Sequence, residues 1–158
     1  MKWTAINGTW RHTTKKVEED VRREVREIFQ KGNGMTSGGA LGVDYFATDE
    51  ALKLDPSAER IRIFLPTSLE TYKRHYFKRA EEGVITREQA TMLASQLEKL
   101  VKINKNSVIE NQEYKIVNKK TYYERIDRMM KELADELTAF HVNKSEGVQY
   151  TIDKARKK

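Results

Sequence analysis

The chain has 158 residues, of which 38% are hydrophobic and 34% charged, a composition typical of one globular domain rather than a disordered segment. It contains no cysteine, which excludes disulfides and zinc–thiolate sites, and no apolar run reaches the length of about 20 residues that a membrane helix needs. The net charge of +6 favours anionic partners such as nucleotides or nucleic acid, although a surplus of this size also serves solubility. We expect a cytoplasmic protein without a bound cofactor.

The N-terminal part of the chain alternates between strand and helix patterns. Strands are predicted at residues 3–6, 35–37 and 61–65. A helix capped by Thr13 or Thr14 is expected to run to about Lys31, and a second helix to span about 43–54. This β-α-β-α-β order is typical of a parallel sheet that is covered by helices on both faces.

The C-terminal part is predicted to be more helical. Helices are expected from Thr67 or Ser68 to about residue 80, from Thr86 to about 104, over 119–134 and from about 148 to the end, with strands at 107–110 and 137–142. Met92, Met129 and Met130 fall at helical core spacing and are predicted to pack inside. The whole pattern predicts one domain over 1–158 with a helical insertion at about 84–106. Its fold class is a Rossmann-like three-layer α/β/α arrangement with a mostly parallel sheet of about five strands.

Small and polar residues follow several of the predicted strands. In a parallel α/β sheet, ligands bind beyond the carboxyl ends of the strands, and the segments 7–9, 36–44, 66–68 and 143–147 reach that edge. The strongest is 36–44, whose glycines let backbone amides approach an anion beside the start of a helix. It matches neither a Walker motif nor the dinucleotide-binding pattern. The alternative is a tight strand-to-helix turn that binds nothing.

Individual side chains near this edge allow two interpretations each. Asp44 could bond a ribose hydroxyl, or it could be a first-turn acid stabilised by the helix dipole. Ser145 could contact a ligand or only cap a helix. The aromatic pair Tyr122 and Tyr123 could stack on a base, but packing between helix and sheet is the favoured role. The histidines and carboxylates form no cluster with metal-ligand spacing, so no metal site is predicted.

Three segments resemble the SLOG superfamily, which unites the DNA-processing Smf proteins, the Lonely Guy phosphoribohydrolases and related nucleotide-ligand sensors. They are Thr-Ser-Gly-Gly-Ala-Leu-Gly-Val-Asp at 36–44, the stretch 123–140, and Ser-Glu-Gly-Val-Gln-Tyr-Thr-Ile at 145–152. The resemblance implies a Rossmann-like sheet with a ligand pocket at these loops. Together with the residue patterns, it predicts a ligand-binding set of Gly8, Thr9, Arg11, Thr36, Ser37, Gly38, Gly39, Gly42, Asp44, Pro66, Arg125, Ser145, Gly147 and Thr151.

The chain also departs from the family pattern. Ile126 stands where the family usually has Asn, and Val148 stands where it usually has Thr, so two hydrogen-bonding groups are lost. The glycine-rich motif of the Lonely Guy enzymes is absent, which argues against their activity. Many relatives add a further strand after the point where this chain stops, and a homo-oligomer is one way to complete the sheet edge.

Three functions follow in order of preference. The first is a binding module for a nucleotide, a nucleoside or an ADP-ribose-like molecule. The second is an enzyme that breaks N-glycosidic bonds, as a hydrolase or a deoxyribosyltransferase, with Asp44 and Glu110 as catalytic carboxylates and Tyr72 or His75 as proton donor. The third is single-stranded nucleic-acid binding, as the resemblance to Smf proteins and the positive charge allow.

Overall fold

A five-stranded parallel sheet forms the centre of the molecule. The computed structural model describes residues 1–10, 13–140 and 146–157. The strands are β1 (Trp3–Gly8), β2 (Gly34–Gly38), β3 (Ile61–Phe64), β4 (Val108–Ile109) and β5 (Glu136–Phe140). Their order across the sheet is β4-β3-β2-β1-β5, and every neighbouring pair is parallel. The predicted parallel sheet of about five strands is confirmed.

Helices cover both faces of this sheet. They are α1 (Lys15–Gln30), α2 (Val43–Leu54), α3 (Leu69–Glu81), α4 (Arg87–Ile103), α5 (Lys119–Glu132) and α6 (Glu146–Lys157). Side chains of α1 to α4 share one core with Ile6 and Ile63, whereas α5 and α6 share a second core with Ala5 and Phe64. Because neighbouring residues of a strand point to opposite faces, the two cores lie on opposite sides of the sheet. The predicted three-layer α/β/α class is confirmed.

Most helices begin at a side chain that the sequence marks as a cap. The hydroxyls of Thr14 and Ser68 accept hydrogen bonds from Val17 N–H and Thr71 N–H, and Thr86 and Asn118 each form a reciprocal capping box. The helix predicted from Thr86 is therefore α4. Among the residues that the structure describes, no helix has both the length and the apolar character to cross a membrane.

The predicted packing of Met92 is wrong. Met129 and Met130 are buried on α5, but Met92 is 43% exposed. The buried stripe of α4 includes Leu93 and Leu97, and Met92 projects about 100° away from its neighbour Leu93 on the helix. Its spacing matched a helix, but not the face that meets the core.

The order of the strands creates a switch point beside β1. The chain runs from β1 to β2 and β3 in one direction and finally returns to β5 on the other side of β1. β1 also extends two residues beyond its predicted end, because Asn7 and Gly8 pair with Ala139 and Phe140. Connections that diverge in this way leave a crevice at the carboxyl end of the strands.

Candidate ligand cleft

A cleft with a volume of about 450 Å³ opens beyond the carboxyl end of β1. This size lies within the range of about 300–1,000 Å³ that is typical of small-molecule sites. We call it the switch-point cleft. Its lining residues come from β1, the loop before α2, α3 and the start of α5, and are Asn7, Gly8, Trp10, Ala40, Asp44, His75, Tyr76, Arg79, Val117, Asn118, Lys119, Tyr122, Tyr123, Arg125 and Ile126.

The floor of the cleft is formed by Asp44 and Arg125, which are only 3% and 8% exposed. Asp44 Oδ2 accepts a hydrogen bond from the backbone N–H of Ala40 at 3.3 Å. Asp44 Oδ1, the Nε and Nη1 atoms of Arg125 and Thr36 Oγ1 are the four buried side-chain polar atoms without a hydrogen-bond partner in the described part of the chain. Buried polar atoms are nearly always bonded, so unmet hydrogen-bonding capacity is concentrated in this cluster.

Gly38 is the residue that lets this cluster form. A Cβ atom at Gly38 would lie 2.5 Å from Cζ of Arg125 and 2.9 Å from Oδ2 of Asp44. Thr36 lies two residues earlier on β2, so its side chain projects from the same face of the sheet. The guanidinium group therefore occupies the space that any larger residue at Gly38 would need.

The carboxyl group of Asp44 has an altered protonation equilibrium. Burial raises its pKa from 3.8 to about 6, and the nearby charge of Arg125 offsets only part of this effect. At pH 7 the group is mostly ionised, but it is far easier to protonate than an exposed carboxylate. Groups with strongly shifted pKa values inside clefts are often functional.

Aromatic side chains form one wall of the cleft. Tyr76 is contacted edge-on by Trp10 at a ring separation of 6.5 Å, and Tyr72 lies behind it with a hydroxyl-to-hydroxyl distance of 3.3 Å. Cζ of Arg125 lies 5.1 Å from the ring centre of Tyr122. Burial raises the pKa of Tyr72, Tyr76 and Tyr122, so the three phenols are neutral at pH 7. The wall is therefore aromatic and uncharged.

The mouth of the cleft carries positive charge. Arg79 pairs with Glu82 at 3.8 Å, and Nζ of Lys119 lies 5.6 Å from the ring centre of Tyr123. Burial lowers the pKa of His75, and the neighbouring charge of Arg79 adds to this effect, so the imidazole is neutral at pH 7. The cleft thus combines two opposite charges at its floor, Asp44 and Arg125, with cations at its entrance.

The glycine-rich loop itself is more closely packed than its sequence predicts. The backbone N–H of Val43, at the start of α2, donates to the carbonyl oxygen of Thr9 at 3.1 Å. Gly42 has a φ of 73°, and a Cβ atom there would lie 2.5 Å from the same carbonyl oxygen. A Cβ atom at Gly39 would lie 2.5 Å from the side chain of Leu65. These two glycines therefore allow close packing, and the buried side-chain donors without a partner in this region belong to Arg125 and Thr36.

The other predicted ligand residues lie in several places. Ser37 Oγ donates to the carbonyl oxygen of Ile6 at 2.8 Å, which ties it to β1. Thr151 on α6 accepts a hydrogen bond from the side-chain amide of Asn7. Pro66 is buried just after β3 and is not part of the cleft lining. Arg11 and Ser145 lie outside the described residues, and Gly147 belongs to α6 by its backbone.

The two predicted catalytic carboxylates line different cavities. Asp44 lies in the switch-point cleft, whereas Glu110 is exposed in a groove along α3 and accepts a hydrogen bond from the backbone N–H of Leu69 at 2.7 Å. The structure thus brings Asp44 and Arg125 together, but places Glu110 at the start of α3. Of the suggested proton donors, His75 lines both cavities, and Tyr72 is buried behind the aromatic wall.

Sequence reasoning missed Trp10, Tyr76, Arg79 and Lys119. The one available signal is the spacing of the aromatic residues on α3, since residues four apart share a helix face. An aromatic stripe of this kind normally indicates core packing, as it does for Tyr72. Packing between helix and sheet, the favoured role for Tyr122, is only part of what this residue does, because it also lines the cleft.

The fold and the cleft define a Rossmann-like α/β domain with a pocket at its topological switch point. No family model and no curated protein sequence matches the chain. Among solved structures, it is similar to DNA processing protein A from Helicobacter pylori, which was described for its single-stranded DNA binding mode, with a TM-score of 0.67 and 23% identity. The match covers 99% of this chain and 61% of that protein's chain, so this chain spans about three fifths of its length. The likeness shows the fold.

Proposed function

We propose that this protein binds a nucleotide-type small molecule in the switch-point cleft. The observation that carries the proposal is the set of unpartnered polar atoms on Asp44 and Arg125, which are nine-tenths or more buried and line the cleft. A buried donor or acceptor without a partner costs about 1–3 kcal/mol. A ligand that bonds these atoms recovers part of that cost, so the folded protein is organised to receive one.

The remaining features of the cleft support a nucleotide-type ligand over an aliphatic one. Tyr76 and Tyr122 provide an aromatic wall against which a planar base can stack. Arg79 and Lys119 at the mouth provide positive charge for phosphate groups. An aromatic body with an anionic end is the chemistry that such a site accommodates.

Calorimetric titration of the full chain with nucleosides and nucleotides tests this proposal. We expect Arg125→Met to weaken binding by at least about tenfold, or about 1.4 kcal/mol. The substitution removes the N–H donors that would bond the ligand but keeps an aliphatic side chain of similar length. Arg128→Met is the matched control, since Arg128 lies one turn further along α5 and bonds Glu132 and the carbonyl oxygen of Glu110. Equal affinity of both variants, or no binding by wild type, would contradict the proposal.

Single-stranded nucleic-acid binding is a second candidate function. A groove along α3 shares Arg79 with the switch-point cleft, and its four cations outnumber its three carboxylates by one: Arg74, Lys78, Arg79 and Lys115 against Glu70, Glu82 and Glu110. The net charge of +6 and the DNA-binding activity of the structurally similar protein favour the same interpretation. Affinity for an oligonucleotide should then fall linearly on a log–log plot against salt concentration. A Lys78→Gln variant should reduce that slope, and a flat salt dependence would argue against this candidate.

A further inference from the structure

The floor of the switch-point cleft is poorly suited to a phosphate group. Asp44 presents an unpartnered carboxylate oxygen beside the unpartnered donors of Arg125, and both side chains flank Gly38. A phosphate that approaches Arg125 from the cleft would meet the like charge of Asp44. The amide of Val43, which would bind a phosphate at the start of α2, is already bonded to Thr9. The anionic part of a ligand is therefore better placed at the mouth, near Arg79 and Lys119.

The same floor matches a neutral group that offers a donor beside an acceptor. Asp44 Oδ1 can only accept, because the carboxyl group is mostly ionised at pH 7, and Arg125 Nε and Nη1 can only donate. A guanine ring has this complement on one flat body: N1–H and N2–H are donors, and O6 and N7 are acceptors. Adenine also places a donor beside an acceptor, but its one donor group, N6–H, gives the carboxylate a single hydrogen bond, whereas the adjacent N1–H and N2–H of guanine give it two while O6 accepts from Arg125. Ribose is not planar. The aromatic wall of Tyr76 and Tyr122 selects a planar ring over a sugar.

We propose that the floor of the switch-point cleft recognises the edge of a guanine-type base, with Asp44 and Arg125 as the reading pair and the phosphate directed outward to Arg79 and Lys119. This inference rests on the proposed nucleotide function and adds the identity of the base and the orientation of the ligand. Asp44 accepts hydrogen bonds from the base and determines which base is preferred. Arg125 donates hydrogen bonds to the acceptor atoms of the base. Arg79 and Lys119 at the mouth bind the phosphate and add affinity for any nucleotide.

Calorimetric titration with five probes tests the inference on the full chain: GMP, guanosine, AMP, ribose 5-phosphate and inorganic phosphate. We expect GMP to bind best, guanosine to lose less than about tenfold, and AMP to lose at least about tenfold, as expected for a base read by hydrogen bonds. Ribose 5-phosphate and inorganic phosphate should bind at least about a hundredfold more weakly than GMP.

The Asp44→Asn variant separates a specific role from a structural one. Asparagine presents a donor where the carboxylate only accepts, so the preference for GMP over AMP should fall by at least about tenfold. Asp49→Asn is the matched control on the same helix, because Asp49 faces away from the cleft and pairs with Arg22. It should leave the preference unchanged. Loss of GMP and AMP binding in equal proportion in Asp44→Asn would overturn base reading by this residue.

The outcomes distinguish this inference from the proposed function. Equal affinity for GMP and AMP, or tight binding of ribose 5-phosphate, would overturn the guanine inference and leave nucleotide binding in place. Binding of inorganic phosphate as tight as GMP would show that the floor takes the anion and would overturn the orientation. If none of the five probes binds wild type, both the inference and the proposed function are overturned.

Discussion

Replacing Asp44 by Asn should stabilise the folded protein at neutral pH while impairing the cleft. The substitution keeps the shape of the side chain and an oxygen that can accept from the Ala40 N–H, but it removes the buried charge. The groups that act on this carboxyl are Arg125 on α5, the Ser37 hydroxyl on β2 and the Ala40 amide, and each lowers its pKa. Burial outweighs their influence, which is why the pKa of Asp44 is raised to about 6.

The size of the effect follows from that pKa. A rise from 3.8 to about 6 means that keeping Asp44 ionised costs the folded state about 3 kcal/mol at pH 7, at 1.36 kcal/mol per pKa unit. Below the unfolded-state pKa of 3.8, the group is protonated in both states and costs nothing. Between pH 3.8 and about 6 the unfolded state has released its proton while the folded state still holds it, so stability falls across this range. Above about pH 6 the group is ionised in both states and the cost stays constant.

Urea denaturation of wild type and Asp44→Asn at intervals between pH 4 and pH 8 measures this effect. The free-energy difference between the two proteins should be near zero at the acid end and rise to about 3 kcal/mol in favour of the variant at pH 7. Asp49→Asn is the contrasting control. Burial raises the pKa of Asp49, but the hydrogen bond from Arg22 and the charge of Arg22 lower it, and the net shift is downward. The ionised carboxylate therefore stabilises the folded protein at neutral pH, and Asp49→Asn should lose stability there. A difference for Asp44→Asn that does not change with pH, or that favours wild type at pH 7, would refute the reasoning.

Four further substitutions test how the cleft is built. Gly38→Ala should weaken nucleotide binding by at least about tenfold in calorimetry, because the added methyl group displaces the guanidinium of Arg125; unchanged affinity would mean that the guanidinium position is unimportant. Gly42→Ala should lower the free energy of unfolding in urea by about 1–3 kcal/mol or more, because φ is 73° there and the methyl group would meet the Thr9 carbonyl oxygen. Thr86→Ala should cost about 1 kcal/mol of stability by removing the capping box of α4, with unchanged nucleotide affinity. Glu110→Gln should leave nucleotide affinity within about twofold of wild type, a change of less than about 0.5 kcal/mol. A larger loss would show that Glu110 contributes to the ligand site.

The fold was predictable because its signals are local. Helix starts at Thr14, Ser68 and Thr86 follow from capping side chains, and the sheet follows from short apolar runs between helices. The prediction for Met92 failed because helical spacing gives the period of a helix but not which of two neighbouring residues faces the core. That choice depends on how α4 packs against the other elements, which local patterns do not contain.

The candidate site was only partly predictable from the sequence. Gly38, Asp44 and Arg125 were found because they lie in a glycine-rich loop and in segments that resemble a known family. Their arrangement was not found, because it depends on contacts between distant parts of the chain. The Thr9 carbonyl oxygen occupies the Val43 amide, and Arg125 on α5 reaches the end of β2 at Gly38. The loop that the sequence predicts to bind an anion is thus closely packed, and it holds the side chains of Asp44 and Arg125 in place.

The strongest argument for function is the contrast between this pair and the rest of the molecule. Elsewhere, α1, α3, α4 and α5 begin at side-chain caps, and the charged network of α1 and α2 is paired, as where Arg22 bonds Asp49 and Glu50. In the described residues, the unsatisfied buried side-chain atoms all belong to Thr36, Asp44 and Arg125. A sequence shaped only by stability would fill this place with apolar side chains, because an unbonded buried charge lowers stability. The cost is concentrated where the strand order diverges and a cleft opens, which is where a ligand can offset it.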